Sequence, residues 1–62
     1  MDFEVSIGRH DSVEVWNHEG AVYLAIDSRD GRETVDLTVE QARSIANALV
    51  AASTDAVLSL DK

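Results

Sequence analysis

Apolar and polar side chains alternate through the first half of this chain and then change to a helical spacing. Phe3, Val5 and Ile7 alternate with Asp2, Glu4 and Ser6, the period-two pattern of a half-buried strand over residues 2 to 7. Gly8-Arg9-His10-Asp11-Ser12 supplies turn chemistry, after which Val13 and Val15 alternate with Glu14 and Trp16 as a second strand. Asn17-His18-Glu19-Gly20 marks the next turn. Residues 21 to 27 alternate again, with Val22, Leu24 and Ile26 on one side and Ala21, Tyr23, Ala25 and Asp27 on the other. Asp30-Gly31 is a two-residue hairpin signal, because both central positions of a type I′ turn need positive φ, and Val35 and Leu37 then belong to a fourth strand.

Directly opposed residues in a sheet share a face, so the turns can be tested by parity. With Asp30-Gly31 as the turn, Ile26 opposes Val35 and Leu24 opposes Leu37. A loop centred on His18-Glu19 sets Val15 against Val22 and Val13 against Leu24, and a three-residue loop at 9 to 11 matches Ile7 with Val13. Every apolar residue of the alternating sets falls on one face.

Thr38-Val39-Glu40-Gln41 follows as a capping box, in which Thr38 accepts from the Gln41 amide while the Gln41 side chain reaches back. It predicts a helix from Val39 with Val39, Ala42, Ile45, Ala46, Leu49 and Val50 as its apolar stripe. About 15 residues at 1.5 Å each match the length of seven-residue strands, so one helix is expected to cover one sheet face. Its other side carries Ser44, Asn47, Ala48 and Ala51, which suit either the close approach of another backbone or a plain solvent face. The tail reads two ways. Ala56, Val57 and Leu60 continue the helical stripe, whereas Leu58 and Leu60 flanking Ser59 suit a short strand, with Ser53-Thr54-Asp55 as the break. The expected fold is α+β: a four-stranded antiparallel β-meander, one C-terminal α-helix packed on one face (ββββα) and an apolar tail, in a single domain over 1–62.

Residues 35 to 52, with Leu37-Thr38-Val39-Glu40-Gln41-Ala42-Arg43 followed by Ile45-Ala46 and Leu49, resemble the C-terminal segment of short uncharacterised proteins from actinobacteria and their phages. In that group a final strand runs into a helix of the form L-T-x-E-x-A-R-x-(I/L)-A-x-x-L. The resemblance implies a source and a strand-to-helix junction, and it carries no activity.

Size and charge narrow the roles. A chain of 62 residues buries only about 60% of the surface its unfolded form exposes, and with no cysteine it has no disulfide to reinforce it, so a homodimer is expected. Twelve acidic against five basic residues give a net charge of −7, which opposes binding to nucleic acid or anionic membrane and favours a basic partner surface. No apolar run approaches the roughly 18 residues of a membrane span, and Met1-Asp2-Phe3-Glu4 lacks the positive start of a signal peptide, so a cytoplasmic location is expected.

No catalytic set assembles from the sequence. His10-Asp11 and His18-Glu19 lie in predicted turns at opposite ends of the second strand, too far apart to share a metal, and the serines lack a nucleophile elbow. The expectation is a non-enzyme without cofactor or metal. On the uncovered sheet face, however, Glu4, Glu14 and Asp36 surround Trp16, Ala21, Tyr23 and Ala25, and exposed aromatics of this kind mark interfaces unless the tail folds over them. Trp16, Tyr23, Glu14 and Asp36 are therefore the candidate binding residues, for a host protein captured by a phage-type regulator or inhibitor. The second reading is a dimer holding a nucleotide-type ligand, with Arg29, Arg32 or Arg43 near its phosphates.

Overall fold

The computed structural model describes residues 1–60; residues 61 and 62, the end of the expected domain, lie outside them. Four strands, β1 (Asp2–Ser6), β2 (Ser12–His18), β3 (Ala21–Ser28) and β4 (Gly31–Leu37), precede one helix, α1 (Val39–Leu60). The strands form one antiparallel sheet in the order β1-β2-β3-β4. The ββββα architecture is the one the alternation predicts.

Each hairpin is nevertheless offset by two residues from the expected register. The observed opposed pairs are Val5 with Val13, Val15 with Leu24, and Leu24 with Val35. An offset of two preserves parity, so every side chain stays on its expected face. The causes are local. Between β2 and β3 the turn is Glu19-Gly20, with φ of 49° and 83°, because Gly20 accepts positive φ freely and a type I′ turn matches the twist of the strands. Between β3 and β4 the turn is Arg29-Asp30. There the Ser28 hydroxyl accepts from the Asp30 amide (3.3 Å) and donates to the Gly31 carbonyl (3.4 Å), while Gly31 itself takes φ 140° at the start of β4. Between β1 and β2 the ladder stops at Ser6 and Ser12, and the Ile7 amide donates to the Asp11 carbonyl at 3.0 Å, which leaves Ile7 in the loop instead of the strand.

The capping box forms as expected. The Gln41 amide donates to Thr38 Oγ1 (3.1 Å), the Thr38 amide donates to Gln41 Oε1 (3.0 Å), and the first helical bond runs from the Ala42 amide to the Thr38 carbonyl (2.9 Å). The helix runs for 22 residues through Ser53-Thr54-Asp55 to Leu60, so the helical one of the two readings of the tail holds that far. Ser53 Oγ (2.8 Å) and Thr54 Oγ1 (3.0 Å) both donate back to the Val50 carbonyl, so their hydroxyls are satisfied inside the helix and do not end it. Up to Leu60 the tail is helical and exposed, and these residues do not fold over the aromatic face.

One expectation about packing is corrected. The helix backbone approaches only β3 and β4, no helix residue is buried, and Ala25 is the only buried hydrophobic residue among those described. The radius of gyration is 13.7 Å, against about 10.6 Å for a compact chain of this length. A helix of 22 residues, about 33 Å long, extends well past seven-residue strands. Its sheet-facing residues Ala42, Ile45, Ala46 and Leu49 line, with Val15, Val22, Leu24 and Leu37, an open apolar groove of about 160 Å³.

Two substitutions test these local causes. Glu19→Asn removes most of the cost of a long side chain at positive φ, and we expect thermal melting at fixed concentration to rise by a few degrees. Thr38→Ala removes the cap at a cost of about 1 kcal/mol, and we expect melting to fall by several degrees with the sheet intact. An unchanged melting temperature in either variant would show that the turn or the cap does not limit stability.

Candidate interaction face

The observed register arranges the helix-free face of the sheet in three rows running from β1 to β4. Asp2, Trp16, Tyr23 and Asp36 form the first, Glu4, Glu14, Ala25 and Thr34 the second, and Ser6, Ser12, Asp27 and Arg32 the third. The four candidate residues Glu14, Trp16, Tyr23 and Asp36 thus share one face within two adjacent rows. Trp16 and Tyr23 are directly opposed, and their rings stack with centroids 5.6 Å apart and planes at 13°.

Arg32 organises this surface. Its side chain crosses β3 from β4, donates through Nη2 to Glu14 Oε1 and through Nη1 to Asp27 Oδ2 at 2.8 Å each, and places the guanidinium 5.5 Å from the Trp16 ring centroid. Ala25, opposed to Glu14 and lying between the strands that carry Glu14 and Arg32, is 0% exposed. A methyl group is what the space beneath that bridge admits. The ion pairs are part-exposed, so their strength lies in sharing one planar fork among two carboxylates and an aromatic ring more than in burial.

Sequence reasoning did not bring Asp27 and Arg32 together beside Trp16, because of the two-residue offset. In the expected register Asp27 opposes Thr34 and Trp16 opposes Ala21; in the observed one Asp27 opposes Arg32 and Trp16 opposes Tyr23. The signal available was the opposite charge of Asp27 and Arg32 flanking the turn.

The electrostatics are lopsided. Asp2, Glu4, Glu14, Asp27 and Asp36 share the face with Arg32 as its one strand-borne cation. The Arg32 guanidinium holds the Glu14 carboxyl below the ordinary glutamate range, and the same pairing raises Arg32. Asp2 is pushed up, chiefly by hydrogen bonding to Glu14 and then by desolvation and the charges of Glu14 and Glu4. Glu14 therefore stabilises the fold above the ordinary carboxylate range and loses that effect as pH falls through its lowered pKa. Asp2 has the opposite sign: its favourable state is the protonated one, present in acid and lost as pH rises through its raised pKa.

The other candidate chemistry does not converge. His10 sits in the loop before β2 and His18 at that strand's far end, where its Nε2 lies 3.8 Å from Glu19 Oε1. No group of three or more His, Cys, Asp or Glu close enough to hold a metal occurs among the described residues. Arg29, in the turn before β4, and Arg43, in the first turns of α1, lie at opposite ends of β4, about 20 Å apart, and Arg32 is already engaged. The open depression of about 330 Å³ beside the helix N-terminus is lined by Glu19 and Asp36, which disfavour an anion there. No described helix is long and apolar enough to cross a membrane. No protein-family model matches the chain, and neither the curated proteins nor the solved structures contain a match to it.

Asp2→Asn keeps a donor for Glu14 and removes the like charge. We expect it to melt higher than the parent at pH 7, with the two curves converging in acid below the ordinary aspartate pKa of about 3.9. A variant melting lower than the parent at pH 7 would show that the Asp2 charge is not opposed by its neighbours.

Proposed function

We propose that the chain is a small acidic homodimeric interaction module of the phage-regulator or inhibitor type, binding a basic surface of a host protein. The observation that carries this reading is the sheet face itself, where a Trp16–Tyr23 stack is held by Arg32 and rimmed by Asp2, Glu4 and Asp36. Trp and Tyr supply contact area at little conformational cost, and the acidic rim steers a basic partner and rejects nucleic acid. The backbone beneath is a regular ladder, so the face is preformed. The likeness of residues 35 to 52 to actinobacterial and phage proteins supports the phage setting. A homodimer is supported by the apolar side chains left exposed on the other side of the sheet, among them Phe3, Val5, Ile26 and Val35. The role proposed is binding, without a catalytic step, in the cytoplasm.

Capture from host lysate, read by mass spectrometry for proteins and small molecules, tests the reading. We expect a basic protein to be retained, its binding to weaken with salt, and both Trp16→Ala and the double substitution Glu4→Lys with Asp36→Lys to abolish retention without changing the oligomeric mass. Retention that survives both variants would move the binding site elsewhere, and a co-purifying nucleotide would favour a small-ligand role instead.

A further inference from the structure

The chain exposes more surface than one of its size sustains alone. The described chain exposes 5274 Å², whereas a folded protein of 6.7 kDa exposes roughly 3,900 Å². The excess, about 1,400 Å², falls in the range that one subunit buries in an obligate homodimer.

Its location is specific. The helix backbone approaches only β3 and β4, and although Val15 of β2 reaches its groove, the edge strand β1 has no cover, with Phe3 and Val5 at 58% and 59% exposure. With the half-buried Val13 of β2 beside it, this edge makes a strip about 10 Å wide, which is the breadth of one helix. The helix is itself short of partners. Between Ser44 and Leu60 its only charged residue is Asp55, and Leu49, Val50, Val57, Leu58 and Leu60 are all more than half exposed. A segment apolar on more than one side calls for burial on more than one side.

We infer that these two deficits meet in a two-fold dimer, in which the α1 helix of each copy, beyond Leu49, lies on the β1–β2 strip of the other. The inference rests on the homodimer proposed above and names the surface that forms it. The excess area selects a second copy, and charge selects this face. The dimer joins two chains of net charge −7, and contact through the apolar surface turns both acidic faces outward, whereas contact through Trp16 and Tyr23 would press five carboxylates of each copy against those of the other. The arrangement also presents two copies of the aromatic face on opposite sides of one particle.

Light scattering at about 100 μM and thiol cross-linking together test it. The chain has no cysteine, so single thiols can be introduced cleanly. Preparations of Val57→Cys are mixed with Phe3→Cys, or with Glu4→Cys as the opposite-face control, and treated with a short thiol-directed cross-linker. We expect twice the 6.7 kDa chain mass in solution and a mixed cross-link with Phe3→Cys but not with Glu4→Cys. A dimer without the Phe3–Val57 link would overturn this arrangement and leave the homodimer standing. A mass of 6.7 kDa would overturn both. We also expect Val5→Asp to lower the mass to that of one chain, while Trp16→Ala leaves it doubled; the reverse pattern would place the interface on the aromatic face.

Discussion

The structure depends on one constraint, the strict alternation of side chains across an extended backbone. In β1 to β4 it sorts Phe3, Val5, Val13, Val15, Val22, Leu24, Val35 and Leu37 to one side and nearly all the strand carboxylates to the other. The two faces then have different chemistry. One side is a surface that water leaves readily, and the other is an acidic platform whose aromatic residues are held by an internal cation.

That sorting explains which features were legible in the sequence. Parity survives any even error in turn placement, so the faces, the strand order and the helix start could be read without the true turns. The Thr38–Gln41 box was legible because its bonds span three residues and need no tertiary context. The register was not, because Glu19-Gly20 and Arg29-Asp30 compete closely with neighbouring turn positions and the choice depends on single φ angles and the Ser28 hydroxyl. Helix length was also hidden, since Ser53 and Thr54 look like a break in the sequence and satisfy themselves within the helix. At the candidate site, the four residues were correctly placed on one face, whereas the Arg32 bridge over Ala25 required the exact opposition of strands.

Arg32 changes the meaning of the acidic surface. Glu14 and Asp27 already have a cation, so they shape the platform and orient Trp16, while Asp2, Glu4 and Asp36 have no arginine partner among the described residues. A basic ligand would meet the second group first. The coupling between Asp2 and Glu14 connects the two groups, because any cation that stabilises an ionised Asp2 also relieves its repulsion with Glu14.

The strand order has a consequence for how the chain is made. Each strand pairs only with its neighbours in sequence, and β2 and β3 are joined by a two-residue turn, so no pairing waits for a distant segment and little loop entropy opposes it. During synthesis the whole sheet is available once Leu37 has emerged, with the helix still unmade. The acidic platform precedes the apolar helix in time, so the sheet can form before its adhesive partner leaves the ribosome.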